Sequence, residues 1–310
     1  MTRNWLADFG WERGRLVVKA TGQRLDPLDP HLLAEVRDWF AYFFEVRRSL
    51  PPETGPTICF WPERARPWYL VWPAAMSAGA KITSDPMKAD VIFHFEDATT
   101  HDGAAPSARP GAVLVNFDAR DITKSAVQDA HAAAFGYPLA LDPLGDSGPA
   151  VEKSEGNGVH DGRIVTLPCA ARPGFVYQRL VDNRADDGLF EDLRTPTVGG
   201  APVVVFIKRR PEAARFTNDN VACPMRAPEE VFSTEEIDAI GRFCAGLGLE
   251  WGGIDLLRDR TSGRLYAVDA NKTDMGPPIA CTMTDKMTAT RKLADALRRY
   301  LAERLSDRIT

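Results

Sequence analysis

The stretch Gly253-Ile254-Asp255-Leu256-Leu257, followed after a turn by Arg264-Leu265-Tyr266-Ala267-Val268-Asp269-Ala270-Asn271, decides how this chain is read. Two apolar runs flank Arg258-Asp259-Arg260-Thr261-Ser262-Gly263. That pattern predicts two strands, over 251–257 and 264–269, joined as a hairpin. Asp255 stands inside the first run, between Ile254 and Leu256. A lone carboxylate in an apolar strand is costly unless it has a partner. Asp269 and Asn271 lie two positions apart, so a strand puts both on one face. If the runs pair, Asp255 faces the same cluster. Two carboxylates and an amide oxygen are hard ligands, suited to Mg²⁺ held jointly with phosphate groups. A surface hairpin with ordinary acidic residues is the plainer alternative.

Upstream lies Ala150-Val151-Glu152-Lys153-Ser154-Glu155-Gly156-Asn157-Gly158-Val159-His160-Asp161-Gly162-Arg163-Ile164-Val165. A lysine ends an apolar strand, a glycine-bearing loop follows, and a second strand begins. Lysine supplies a point charge for phosphate, and glycines let backbone N–H groups come close. The GxxxxGK[ST] order is absent, and no helix follows, so neither a P-loop nor a dinucleotide fingerprint is present. Alone, such a stretch is more commonly a glycine-containing hairpin turn. A cationic group follows: Arg194, then Lys208-Arg209-Arg210, then Arg215 with Asn218 and Asn220. Such clustering in an acidic chain suits an anionic ligand. A solvated strand edge is the alternative for Lys208-Arg209-Arg210 taken alone.

Further outward, helices are expected over 124–135, 234–247 and 285–305. Gly136 stops the first, and Ser233 with Glu236 forms a capping box on the second. Residues 175–181, 202–208 and 213–217 read as extended. Before them, short apolar strands at 57–61, 81–83, 91–95 and 112–116 alternate with connecting segments, including a helical stretch over 68–80. That alternation suggests a small parallel α/β sheet. The first fifty residues read as an arm around one helix, with Leu32, Leu33, Val36, Trp39, Phe40, Phe43 and Phe44 at steps of three and four. The stripe fits packing on the body of the protein, and a homodimer face is the sharper reading. Its polar face is not mainly basic, which argues against a membrane-surface helix.

The 310 residues are 44% hydrophobic and 26% charged, with a net charge of −5. This is globular composition, long enough for two lobes. A mildly acidic chain is a poor candidate for nucleic-acid binding. The five cysteines include no CxxC pair, and the N-terminus has no apolar signal-like core. No run of about 18 apolar residues could span a membrane. A reducing, cytoplasmic setting is therefore expected. His94, His101 and His131 match no zinc spacing, and His160 reads as a surface loop histidine. Trp61, Trp68, Tyr69 and Trp72 follow the first strand of the sheet, where they fit packing under the arm or a ligand site.

Taken in this order, the segments over roughly residues 112 to 280 resemble the ATP-grasp superfamily, in particular glutathione synthetases and D-alanine–D-alanine ligases. The resemblance implies an α/β fold: an N-terminal helical arm (1–55), a small parallel α/β domain (56–136) and a two-lobed ATP-grasp domain (137–310). The lid lobe would be about 137–198 and the metal-binding lobe about 199–310. It implies ATP and Mg²⁺ as cofactors. Asp255, Asp269 and Asn271 would hold the metal, Asp269 being shorter than the usual glutamate. Lys124 and Lys153 would contact phosphate, with 154–162 as a loop over the nucleotide. Gln178 and Leu180, in Tyr177-Gln178-Arg179-Leu180-Val181, would clasp adenine, and Asp192 of Asp192-Leu193-Arg194 would meet ribose. Arg194, Arg209 or Arg210, Arg215 and Asn218 would lie near the substrate and terminal phosphates. Two departures stand out: Lys272-Thr273-Asp274-Met275-Gly276-Pro277-Pro278 replaces a short Pro-Gly ending, and Gly252-Gly253 stands where a strand arginine is usual.

The resemblance implies an ATP-dependent ligase that joins a small-molecule carboxylate to an amine through an acyl phosphate, releasing ADP and phosphate. A site of Lys, Arg, Asp and Asn without a nucleophilic triad fits such positioning and charge-neutralising chemistry. A kinase acting on a hydroxyl is the alternative within the same fold. A non-catalytic nucleotide-binding module that uses the aromatic arm as an interface is the alternative outside enzymology.

Overall fold

A computed structural model describes residues 9–18, 23–26, 28–159, 161–216 and 220–307. The arm is not purely helical. β1 (Phe9–Glu12), β2 (Arg15–Val18) and β3 (Gln23–Leu25) form an antiparallel sheet in the order β1-β2-β3 ahead of the helix. Its first turn is Arg13-Gly14, with φ of 48° and 79°. Positive φ at both central residues matches the twist of a hairpin. An arginine in the position that usually shows Asn or Gly hid the signal.

α1 (Pro30–Arg48) follows, the Leu33 N–H donating to the Asp29 carbonyl at 3.0 Å. Its aromatic stripe is split between two environments. Trp39 and Phe43 stack at 5.3 Å and meet Trp68 and Trp72, while Tyr42 and Val46 are buried. Leu33, Val36, Phe40 and Phe44 are exposed. The helix packs on the body, but through only part of the expected stripe and with Tyr42 and Val46 added to it.

The next segment holds β4 (Thr57–Pro62), α2 (Val71–Ser77), β5 (Lys81–Thr83), β6 (Val91–Phe95) and β7 (Val113–Val115). The strands form an all-parallel sheet in the order β5-β4-β6-β7. β6 is buried along its whole length, as a strand covered on both faces must be. α3 (Lys124–Phe135) begins at Thr123, whose side chain accepts from the Ala126 N–H, and stops at left-handed Gly136 (φ 79°). β8 (Gly148–Ser154), β9 (Arg163–Leu167) and β10 (Phe175–Arg179) make an antiparallel sheet ordered β10-β8-β9.

The rest builds a six-stranded antiparallel sheet from β11 (Phe190–Val198), β12 (Ala201–Pro202), β13 (Val205–Arg210) and β14 (Met225–Arg226), then α4 (Thr234–Gly246), β15 (Trp251–Arg258), β16 (Leu265–Asn271) and finally α5 (Met283–Ser306). The order is β14-β13-β11-β15-β16, with β12 on β11. β11, N-terminal to a lobe boundary near 198, is hydrogen-bonded between β13 and β15 and belongs to this sheet. Of the stretch 213–217 expected to be extended, the described residues 213–216 are not: a 3-10 turn occupies Glu212–Ala214, entered from Pro211 at φ −70°. Proline's fixed φ starts such a turn readily.

The two faces of this sheet differ sharply. One carries Leu193, Val205, Ile254, Leu256, Ala267 and Ala270 against Val127 and Ala130 of α3 and Ile240 and Phe243 of α4. The other carries the charged residues described below. Trp251 and Val198 join Leu293, Leu297 and Leu301 of α5 in the core of the parallel sheet. Asn116, at φ 65°, fixes that junction. Its amide oxygen accepts from the Glu250 and Trp251 N–H groups at 2.9 Å each, and its amide nitrogen donates to the Trp251 carbonyl at 2.8 Å. No helix among the described residues is long and apolar enough to cross a membrane.

Candidate active site

Cross-strand register assembles the site. Asp255 on β15 lies opposite Asp269 on β16, and Gly253 opposite Asn271. On the other side of β15, Asp255 lies opposite Arg194 of β11, and one step further Asp192 faces Lys208 of β13. A register shift between Asp255 and Leu256 pairs Leu256 with Ala267, so Val268 is the extra residue of a bulge. Strict alternation would put Ala267 beside Asp269. The bulge instead turns Ala267 into the helix-side core and leaves Asp269 on the charged face.

The carboxylates are closely held. The Arg194 guanidinium donates to Asp255 Oδ2 at 2.9 Å, and Lys208 Nζ stands 3.0 Å from Oδ1. Burial works to raise the Asp255 pKa, but Arg194 and Lys208 outweigh it and hold the carboxyl well below the usual range. Lys124, at the first turn of α3, donates to Asp269 Oδ1 at 2.5 Å. Asn271 Oδ1 accepts from the Thr273 N–H at 2.9 Å. Arg194 also donates to Asp274 Oδ1, at 2.5 Å from Nη2 and 3.1 Å from Nε. Burial opposes the charge on Arg194, yet its two aspartates raise its pKa further.

Gly253 makes room for that pair. A Cβ there would lie 2.2 Å from Asp274 Oδ2 and 2.8 Å from Arg194 Nε. Gly253 is therefore a space requirement for the Arg194 guanidinium, which reaches in from the neighbouring strand. The other departure is a strap between lobes. Thr273 Oγ1 donates to Asp97 Oδ1 at 2.9 Å, Tyr69 Oη donates to Asp97 Oδ2 at 2.8 Å, and the Leu70 N–H donates to the Asp274 carbonyl at 2.8 Å. The segment 273–276 thus pins the charged face to the carboxyl end of the parallel sheet.

The β8–β10 sheet reaches toward this face. Lys153 Nζ donates to the Val268 carbonyl at 2.8 Å, and burial pushes its pKa down to about 8 against the pull of Asp269. Gln178 pairs with Val151, two positions from Lys153 and on the same face of the sheet. It is buried, and its Nε2 has no protein partner. Leu180 is half-buried just beyond β10, after the Arg179 N–H has donated to the Leu139 carbonyl at 2.9 Å. The loop after β8 closes on the body: Glu155 accepts from Ser125 Oγ at 2.5 Å and from its N–H at 3.0 Å, and the Asn157 N–H donates to Thr99 Oγ1 at 2.9 Å.

Asp192 accepts from Arg210 at 2.6 Å and from Asn183 at 3.0 Å. Of the arginine pair, Arg210 is buried on the charged face, while Arg209 turns the other way to Glu191 and Asp187. Arg215 caps this end, donating to the Val181 carbonyl at 2.5 Å with its guanidinium 4.4 Å from the Phe190 ring centre. Asn218 and His160 lie outside the described residues. Sequence reading gave no role to Asp274 or Lys272, and named Lys208 only within the cationic group suited to an anionic ligand. Lys208 was findable, because alternation sets it on the face of Arg210 rather than Arg209. Asp274 and Lys272 carried no periodic signal.

Lys272 is buried at 2% exposure, and its Nζ has no hydrogen-bond partner in the protein. It lies beside a histidine pair that spacing did not bring together. His94 and His101 stack at 3.7 Å, and with Glu96 their ligand atoms fall within 4.8 Å of one another. Both ring nitrogens of His101 are engaged by backbone, at the Ala119 carbonyl and the Gly103 N–H. Burial, then His101 and Lys272, pushes the His94 pKa down to about 4.

The donor set fits Mg²⁺: Asp255 is held ionised, and Asp255, Asp269 and Asn271 present oxygens on one face. Lys124, Lys153, Arg194, Lys208 and Arg210 surround them, a field suited to phosphate. No protein-family model matches the chain, and no curated protein does. Among solved structures the chain is similar to ATP-grasp ligases. The ATP-grasp ligase PsnB complexed with a minimal precursor is 14% identical, with a TM-score of 0.48 over 78% of this chain and 97% of that one. The D-cycloserine synthetase DcsG is 16% identical, with a TM-score of 0.47 over 79% and 99%. The D-alanine–D-alanine ligase of Bacillus anthracis complexed with ATP is 12% identical, with a TM-score of 0.43 over 81% and 98%.

Proposed function

We propose that this chain is an ATP- and Mg²⁺-dependent ligase that activates a carboxylate as an acyl phosphate and passes it to an amine, releasing ADP and phosphate. The observation that carries the reading is the paired face of β15 and β16. Asp255, Asp269 and Asn271 line it, Lys124 and Arg194 reach it from neighbouring elements, and Lys153 arrives from the facing sheet. Held by Asp255, Asp269 and Asn271, Mg²⁺ would supply positive charge against the phosphates and the charge that develops on transfer.

The chain's own groups do the rest. Lys153 and Lys124 hold phosphate oxygens as point charges. Lys208 and Arg194, now spent on Asp255, are the cations a second phosphate or carboxylate would recruit. Gln178, buried with an unused amide nitrogen, offers a polar contact to a base. Arg210 keeps Asp192 oriented. Positioning and charge neutralisation suffice for acyl and phosphoryl transfer, and no side-chain nucleophile is required.

The test is ADP release in a panel of carboxylates and amines. Wild type is expected to form ADP and an amide together, and Asp269→Ala and Lys153→Ala to lose about a hundredfold or more while keeping the wild-type circular dichroism. Unchanged turnover in both folded variants would reject the site. A phosphorylated hydroxyl as product would reassign the chain as a kinase.

A further inference from the structure

The exposed ridge of α1 is unlike the rest of that helix. Leu33, Val36, Phe40 and Phe44, at helical spacing, are 52%, 42%, 52% and 65% exposed. They run along most of its 19 residues, away from the Trp39, Tyr42, Phe43 and Val46 side that packs on the body. A groove beside Ala41 and Phe44, lined by Met283, Met287 and Arg291 of α5, extends the apolar surface. Large apolar side chains presented in a row mark an interaction surface.

The charges beside the ridge say what covers it. The helix carries Arg47 and Arg48 in its last turn, and Asp29 precedes its first. At 100° per residue Asp29, Val36, Phe40 and Arg47 fall on one line. Lay a second α1 antiparallel across the first, so that Leu33 meets the partner's Phe44 and Val36 meets the partner's Phe40. The same register sets Asp29 against the partner's Arg47 at both ends of the contact, while Arg48 stays paired with Glu45 of its own helix at 2.9 Å. The ridge is therefore complementary to itself in both apolar and charged positions, as a two-fold interface requires. The opposed helix dipoles agree with that direction.

We propose that α1 is an isologous dimer interface, whose occupant is α1 of a second copy of this chain. Sedimentation velocity over a wide concentration range tests it. Wild type should dimerise reversibly. Phe40→Asp with Phe44→Asp should weaken the dimer about a hundredfold or more, and Asp29→Arg by about tenfold. Combining Asp29→Arg with Arg47→Glu should restore it, which nonspecific stickiness would not do. These positions are exposed, so thermal unfolding should show each variant folded. A wild type that stays monomeric overturns the proposal. So does a dimer indifferent to these substitutions, or a monomer that instead sediments with anionic lipid vesicles.

Discussion

Gly253 shows how one residue can decide a site. Its missing Cβ leaves the volume in which Asp274 and Arg194 meet, and through Arg194 it sets the ionisation of Asp255. Gly253→Ala should cost about 1–3 kcal/mol, because the added methyl would overlap a buried carboxylate that Arg194 holds in place. Turnover should fall with it, since the guanidinium that neutralises Asp255 must shift. Urea unfolding midpoints beside ADP release rates check this. A variant as stable and active as wild type would mean that the Arg194–Asp274 pair does not constrain the site. The Asp255…Asp269-Ala270-Asn271 set was legible in the sequence because polar residues in apolar strands are costly and period-two spacing is rigid. Asp274 was not, because it follows the strand and its partner lies on β11, far away in sequence.

At the scale of elements, the three-stranded β8–β10 sheet is organised by one carboxylate on the face away from the charged cleft. Buried Glu152 accepts from Arg163 at 2.7 Å, from Arg172 at 2.6 Å and from Tyr177 Oη at 2.8 Å. Burial works to raise the Glu152 pKa, but the tyrosine and the two arginines prevail and lower it. A folded pKa below the unfolded value means that this stabilisation is complete above the ordinary carboxyl range. It is lost as pH falls through the lowered value. Glu152→Gln should therefore lower the thermal midpoint at neutral pH and flatten its fall on acidification. Parallel curves for wild type and variant would contradict that assignment. Elements with strong local signals were readable: α3 from its Gly136 stop, α4 from its Ser233–Glu236 box, and the parallel sheet from its apolar runs. β1–β3 escaped because its turn uses an arginine at positive φ. The turn after Pro211 escaped because Ala213-Ala214-Arg215-Phe216-Thr217 is too short to show a helical period.

Across the whole molecule, the site sits where three bodies are pinned together. Asn116 joins the parallel sheet to β15, the 273–276 strap joins it to the charged face, and Ser125 and Thr99 hold the loop that follows β8. None of these ties is visible in sequence, because each joins segments with no shared periodicity. What was visible is the chemistry that they bring together. The central claim is that the β15–β16 face takes Mg-ATP, and thermal unfolding with and without Mg-ATP tests it most directly, on wild type beside Asp269→Ala. With nucleotide at about 100 times its dissociation constant, wild type should gain roughly 2.7 kcal/mol, a rise of a few degrees. That rise should need Mg²⁺ and vanish in the variant. No rise at saturating Mg-ATP, or an equal rise in Asp269→Ala, would contradict the account.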